Sequence, residues 1–316
     1  MTNIVITGGL GYIGSQILQG SRSSNGVKIK VFDSLRWDQG PLVYPVLKNR
    51  PGYSFYRESV LDWSDGLKRA IDSADVIIPL AALVGAPLCD QYPEEAVAIN
   101  QKWYEKLLDL LHKQLIIYPN TNSGYGTTGD DVCTEETPCN PISLYGQTKQ
   151  EAEKTLLSSY DNAIVFRLAT VFGWSYRPRL DLLVNNLTLT AMEDGVIELF
   201  DGHYRRNYVH VQDVADAFFF AFRHRKKMKG QIYNLGNDEI NMTKKELVSR
   251  ICEMTGATYK ETDSKTDPDK RDYLVSSKKL NSLGFRAERE LEEGIREIMT
   301  FKSFLPEKYI YSLKNY

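Results

Sequence analysis

Tyr145 and Lys149 stand four residues apart in the segment Tyr145-Gly146-Gln147-Thr148-Lys149. On a helix, residues at that spacing lie on neighbouring turns of one face and can reach the same ligand. A free phenol, with a pKa of about 10, is a poor base at neutral pH, and an ammonium beside it favours the phenolate. Tyr145 is therefore the candidate general acid/base, with Lys149 lowering its pKa. Thr121, in the loop after the apolar run Leu115 to Tyr118, adds a hydroxyl able to share a proton with Tyr145 and a substrate oxygen. Tyr-x-x-x-Lys also arises by chance on amphipathic helices, so its meaning depends on what lies upstream.

Upstream lies Thr7-Gly8-Gly9-Leu10-Gly11-Tyr12-Ile13-Gly14. The β-branched run Asn3 to Thr7 reads as a buried strand and Ile13 to Leu18 as the start of an apolar helix, the order a dinucleotide-binding turn requires. Gly8 permits the tight turn, Gly11 lets backbone N–H groups approach a pyrophosphate, and Gly14 allows close packing of helix on strand. The helix N-terminus adds partial positive charge. A second strand, Lys28 to Phe32, ends in Asp33 about 20 residues after Gly14, where a carboxylate meets the adenosine ribose. It accepts from the ribose hydroxyls and repels a 2′-phosphate, favouring NAD over NADP, although Arg36 is close enough to accommodate such a phosphate. A dinucleotide beside a proton-transfer group means redox chemistry, and gives Lys149 a second task, holding the nicotinamide ribose.

The elements that must position these groups alternate. Extended runs at Tyr53 to Tyr56, Asp75 to Pro79, Leu115 to Tyr118 and Ala163 to Leu168 are interleaved with helices at Trp63 to Ile71, Pro93 to Leu111 and the segment carrying Tyr145. That alternation predicts an α/β fold with a doubly wound parallel (Rossmann) sheet. After Gly173 the rhythm changes: Ser175 to Arg179 is rich in arginine, proline and aromatics, Leu180 to Ala191 reads as a helix, Asn207 to Val211 as extended, and Asp213 to Arg225 and Lys244 to Thr255 as helices ahead of the polar loop Thr262 to Asp272. Residues 1–173 are expected to form the NAD-binding domain, with 207–236 returning to it, and 174–206 with 237–316 a smaller C-terminal substrate-binding lobe.

With 316 residues, 42% hydrophobic and 25% charged, the composition is that of an ordinary globular protein. A net charge of −2 provides no global basic field for nucleic acid. A strand starting near residue 3 leaves no room for a leader before it, and no apolar run approaches the roughly 18 to 20 residues that span a bilayer, so the expected address is the cytoplasm. Cys89, Cys133, Cys139 and Cys252 lack zinc-site spacing, so no metal is expected; Cys133 and Cys139 share a loop and could pair, though free thiols fit a cytosolic chain better.

Taken in order, TGGLGYIG, Asp33, Leu80-Ala81-Ala82, Asn100, Thr121 to Gly126, Tyr145-x-x-x-Lys149, Arg167 to Gly173 and Arg206 to Val211 resemble, over nearly the whole chain, the extended short-chain dehydrogenase/reductase family in its nucleotide-sugar epimerase, dehydratase and reductase branch. The resemblance implies NAD as cofactor, a nucleotide-diphospho sugar as substrate, and Thr121, Tyr145 and Lys149 as the catalytic triad. It implies backbone contacts from Tyr12 and Ile13 to the pyrophosphate, a cofactor groove lined by Leu80, Ala81 and Ala82, and a cofactor role for Asn100. Ser59, beside Val60, replaces an aspartate that commonly meets the adenine amine, and Val84 stands where several epimerases carry a lysine. Arg206 is implied to face the substrate diphosphate, a role suited to a guanidinium fork, while adjacent Arg205 reads equally as a surface salt bridge. Arg271 is a second candidate phosphate contact, and Thr170, Asn185, Asn122 and Ser123 are candidate substrate contacts. Related proteins dimerise through the helices Pro93 to Leu111 and Tyr145 to Ser159, which implies a homodimer.

Asn122 and Ser123 stand where 4,6-dehydratases carry an Asp-Glu pair, and the cysteine of 3,5-epimerase/reductases is absent from this loop. What remains is hydride transfer at a sugar carbon, once in a dehydrogenase or twice in a 4-epimerase. A non-catalytic dinucleotide sensor would not need the Tyr-Lys pair. Leu80 to Cys89, Asn120 to Gly126 and Asp267 to Ser276 also resemble a narrower group, the GDP-manno-heptose 4-dehydrogenases of bacterial capsule pathways.

Overall fold

The structure is a computed structural model that describes residues 1–21, 26–42, 52–262 and 271–315. Seven strands form the main sheet, in the edge-to-edge order Gln231–Leu235, Ala163–Leu168, Leu115–Thr121, Val76–Pro79, Thr2–Thr7, Val27–Asp33 and Tyr53–Arg57. Every neighbouring pair is parallel. The strands Val76–Pro79, Leu115–Thr121 and Ala163–Leu168 are buried almost throughout because helices cover both faces. On one side, the helices Tyr12–Gly20 and Val211–Met228 bury Ile17, Leu18, Phe218 and Ala221 against Ile6, Val31 and Phe166. On the other, Leu67, Ile71, Trp103, Leu107 and Leu156 close over Val5, Ile77 and Ile116.

From Thr2–Thr7 the chain builds the sheet outward through Val27–Asp33, then returns past its first strand to Val76–Pro79. That reversal opens a crevice at the carboxyl ends of Thr2–Thr7 and Val76–Pro79, where ligands of such sheets bind.

The long helix expected over Pro93 to Leu111 is an α-helix at Pro93–Val97, a wider π-turn at Ala98–Lys102, and an α-helix again at Trp103–Leu108. Within that turn Asn100 bonds its amide to a loop 17 residues away, the type of constraint that accompanies π-bulges. The helix expected from Leu180 starts at Leu183, and the one expected from Trp63 starts at Asp65, where Ser64 caps it by accepting from the Leu67 N–H.

Residues 207–210 do not rejoin the main sheet. They belong to Arg205–His210, which pairs in parallel with Thr170–Phe172 and antiparallel with Asn237–Thr243 in a separate three-stranded sheet. The helix Val211–Met228 and strand Gln231–Leu235 do return, so the chain passes between the two regions repeatedly. The second region packs the helices Leu183–Asp194, Lys244–Thr255 and Leu291–Phe304 around Phe172, Tyr208, Ile240 and Ile251. Strand Thr127–Cys133 pairs with Asp272–Val275, tying the loop after Thr121 to the C-terminal region. Among the described residues, no helix is long and apolar enough to cross a membrane, and no group of side chains could hold a metal ion. All four cysteines are free.

Candidate active site

One cavity runs along the crevice, lined at one end by Gly8, Gly11, Tyr12, Ile13, Gly14, Asp33, Ser59, Val60, Leu80, Ala81 and Ala82, and at the other by Thr121, Ser123, Tyr145, Lys149, Thr170 and Arg271. The glycine turn is built as expected. Gly8 has φ +67°, and a Cβ there would lie 2.6 Å from the Ala81 nitrogen; at Gly14 a Cβ would lie 2.6 Å from the Gly9 carbonyl oxygen. The helix Tyr12–Gly20 has no side-chain cap at its Gly11 terminus, so its first N–H groups stay available to an anion in the cavity.

Asp33 is buried, and burial raises its pKa, while N–H donation from Leu10 (3.0 Å) and Leu35 (2.9 Å) to its two oxygens opposes that rise. Asp33 itself lines the cavity, and each carboxylate oxygen can accept a further bond, as a ribose acceptor requires. Arg36, the candidate 2′-phosphate contact, is instead paired with Glu95 and lies over the Tyr92 ring. This pairing supports the preference for NAD.

At the other end, Ser143 caps the helix Leu144–Ser159 by accepting from Gly146 N–H at 3.2 Å, which fixes where Tyr145 and Lys149 leave it. Burial, reinforced by Cys89, pushes the Tyr145 phenol up to about 12, against the lowering influence of Arg179, Arg271 and a hydrogen bond with Thr121. Burial pushes Lys149 down to about 7, with Cys89 and Glu153 pulling it back up. Its ammonium nitrogen lies 4.1 Å from the centre of the Tyr118 ring, and the Tyr118 hydroxyl donates to the Lys149 carbonyl at 3.0 Å. The Lys149 charge was expected to lower the phenol; in these surroundings desolvation dominates both groups.

Thr121 Oγ1 accepts from Ser123 N–H at 3.1 Å and lies 2.9 Å from Ser123 Oγ, so the two hydroxyls form one relay beside Tyr145. The strand end is held by charge behind the wall. Asn120 accepts from Thr121 N–H at 2.8 Å and donates to Glu153 at 2.6 Å. Glu153, on the same helix as Tyr145, is gripped by the Arg167 fork at 2.6 and 3.1 Å. Arg167 donates to the Tyr125 hydroxyl at 3.0 Å, and Tyr125 to Asn234 at 2.6 Å. These side chains lock the Thr121 loop to the Tyr145 helix.

Four expected contacts do not line the cavity. Asn100 pairs its amide with both backbone groups of Leu83, at 2.8 and 3.0 Å, and so shapes the Leu80-to-Val84 loop that lines the cavity. Asn122 is buried against Asn207. Asn185 holds the turn at Gly173 and Arg179 by bonds of 3.0 Å to Gly173 N and Arg179 O. Arg206 is buried over the Tyr273 ring, with its Nη1 on the Arg205 carbonyl. Arg205 is the salt bridge, joined to Asp272 at 2.9 Å and Asp130 at 2.7 Å. Of the stretch Asp267 to Ser276, residues 267–270 lie outside the described residues.

The wall also holds Trp37, Arg177, Arg179 and Asn315, which sequence reasoning did not single out. The arginines had a visible signal in the Arg-Pro-Arg run Arg177-Pro178-Arg179; Asn315 had none, since only folding carries it there.

A parallel sheet with a glycine turn at its switch point, and a Tyr-Lys helix with a hydroxyl relay across the same crevice, define a dinucleotide-dependent oxidoreductase site. Residues 4–236 match the NAD dependent epimerase/dehydratase family, and the chain belongs to it. It is 25% identical to the dTDP-D-glucose 4,6-dehydratase of Mus musculus over 93% of this chain and 86% of that one. It is 26% identical to the UDP-glucose 4-epimerase of Lactobacillus helveticus, covering 91% and 92%. The fold superposes on a dTDP-glucose 4,6-dehydratase from Bacillus anthracis in complex with NAD at TM-score 0.82, with 24% identity, 99% of this chain and 100% of that one covered. On a UDP-glucuronic acid 4-epimerase from Bacillus cereus in complex with UDP-glucuronic acid and NAD, the values are 0.83, 23%, 96% and 100%. The cofactor is NAD, and the cavity fits it: the uncapped helix end, the cradle at Gly8 and Gly14, and an acceptor at Asp33 occupy one continuous wall.

Proposed function

We propose that this protein oxidises the 4-hydroxyl of a nucleotide-diphospho sugar to a 4-keto sugar. Tyr145, through the Thr121 relay, takes the hydroxyl proton, and Lys149 holds the nicotinamide ribose. Bound NAD supplies a positive ring charge that favours the phenolate and a site that accepts the C4 hydride. Proton and hydride leave together, so the products are a ketone, NADH and a proton.

The observation that carries this reading is the chemistry of the catalytic end. Among the described residues, the carboxylates on the cavity wall are Asp33, Glu58 and Glu95, at strand ends and helix turns around the adenosine end, and Asn122 and Ser123 form the turn after Thr121. Eliminating water needs an added acid and base, and among the described residues no carboxylate lines this end. A 4-epimerase remains the second reading, since it uses the same residues and returns the hydride to the opposite face.

GDP-manno-heptose is the proposed substrate, in cytoplasmic synthesis of bacterial surface polysaccharide. Its support is the likeness of Leu80 to Cys89 and Asn120 to Gly126 to the heptose 4-dehydrogenases; both segments border the cavity. Thr170, Ser123 and Arg271, which stay on the wall, are the proposed substrate contacts. A homodimer through the segment Pro93–Leu108 and the helix Leu144–Ser159 completes the reading, checked by sedimentation.

The test mixes protein, NAD and GDP-manno-heptose and follows NADH absorbance together with product mass and stereochemistry. NADH with a ketone supports the dehydrogenase. A stereoisomer without net NADH makes the protein a 4-epimerase, and no reaction removes the proposed substrate.

A further inference from the structure

The segment that follows Gly173 is strapped across the first turn of the helix Tyr12–Gly20. Tyr12 donates its hydroxyl to the Gly173 carbonyl at 2.7 Å, Gln16 donates to the Trp174 carbonyl at 2.8 Å, and Ser175 Oγ donates to the Tyr12 carbonyl at 2.6 Å. Arg177 N–H points at Ser15 Oγ, 3.4 Å away. The strap therefore holds Arg177 over the helix end that the glycine turn presents to a pyrophosphate.

Its two arginines differ. Arg179 is paired with Asp181, which also accepts from Asn315 N–H at 3.2 Å. Arg177 is only 3% exposed and lines the cavity, and its Nη2 has no hydrogen-bond partner among the described residues. Its Nη1 donates to the adjacent Pro178 carbonyl at 2.9 Å. Neighbouring Arg179 disfavours the charged guanidinium, and Asp181 and then Asp33 favour it, but neither carboxylate hydrogen-bonds it: Asp181 is paired with Arg179, and the Asp33 oxygens accept from Leu10 and Leu35. Burial lowers the Arg177 pKa to about 10, the signature of a cation held out of water without full compensation. A buried guanidinium edge that lines a ligand cavity beside the Trp37 ring, with no hydrogen-bond partner among the described residues, is suited to an anionic partner from outside the chain.

We propose that Arg177 binds the pyrophosphate of the cofactor from the side opposite the glycine turn, closing a two-sided clamp of backbone N–H groups below and a guanidinium above. This rests on the reading that the glycine end of the cavity holds NAD. The clamp retains the cofactor where several epimerases use a groove lysine and this chain has Val84. It also makes Arg177 costly in the free protein and useful only in the bound one.

Calorimetry with ADP-ribose and adenosine tests the clamp without turnover. Arg177→Met should weaken ADP-ribose about 10- to 100-fold, the range of a charge-assisted bond, and leave adenosine unchanged. The free variant should melt no lower than wild type, because the uncompensated charge is gone, while its stabilisation by ADP-ribose shrinks. Arg177→Gln, which keeps one amide donor, should fall between the two and serves if the Met variant does not fold. Unchanged ADP-ribose affinity, an equal loss for adenosine, or a loss confined to 2′-phospho-ADP-ribose would each overturn the proposal. Failure of wild type to bind ADP-ribose would overturn it through the cofactor site itself, an outcome separate from a variant that matches wild type.

Discussion

The two ends of the cavity recognise by different means. Around the glycine turn, main-chain geometry does most of the work: N–H groups, a cradle with no room for a Cβ, and an aspartate already oriented by two backbone donors. At the catalytic end the chemistry lies in side chains whose properties are set by burial, with Tyr145 pushed up and Lys149 pushed down, and by an ionic network behind the wall. A main-chain site tolerates side-chain change, whereas a desolvated side-chain site depends on each group that positions or charges it.

If that contrast holds, Tyr145→Phe should lower turnover by roughly 10²- to 10⁴-fold while NAD affinity stays at the wild-type value. Wild-type turnover in this variant would remove Tyr145 from catalysis. Next in size, Glu153→Ala leaves the Arg167 charge buried and unpaired and should cost about 3–5 kcal/mol of stability in urea unfolding. Turnover should fall further than the unfolded fraction explains, because Asn120 loses its anchor.

Lys149→Met probes the same end by pH. The folded-state pKa of Lys149 lies below its ordinary 10.5, near 7, so folding strips a proton from this group. The cost is full below about pH 7 and disappears as pH rises towards 10.5. Wild-type stability should therefore climb relative to the variant between pH 7 and 10, by about a few kcal/mol. A flat difference across that window would mean that Lys149 stays charged when buried. The smallest effect belongs to the adenosine end: Asp33→Asn keeps one acceptor oxygen and should weaken NAD only about tenfold while narrowing its advantage over NADP. A loss as large as that at Tyr145 would erase the contrast.

What the sequence revealed follows the same division. The glycine turn, Asp33 and the Tyr-Lys pair are local patterns whose geometry needs few residues, and all of them line the cavity. Asn100, Asn122, Asn185 and Arg206 are polar residues in motifs, but their partners lie far along the chain, such as Leu83 for Asn100 and Asn207 for Asn122, so their roles depend on tertiary packing. Strand Arg205–His210 reads as extended in either sheet, and nothing local says which it joins. The helix Leu291–Phe304 was within reach: Leu291, Ile295 and Ile298 recur at helical spacing and are fully buried.

The repeated passage of the chain between its two regions also governs how it can be made and cut. Residues 1–173 alone would expose the edge of Ala163–Leu168, which Gln231–Leu235 normally covers, and the apolar face that packs against Val211–Met228. An uncovered strand edge beside an apolar surface templates aggregation. Expressed alone, that half should be insoluble, and the chain emerging from the ribosome must wait for residue 235 before its sheet can close.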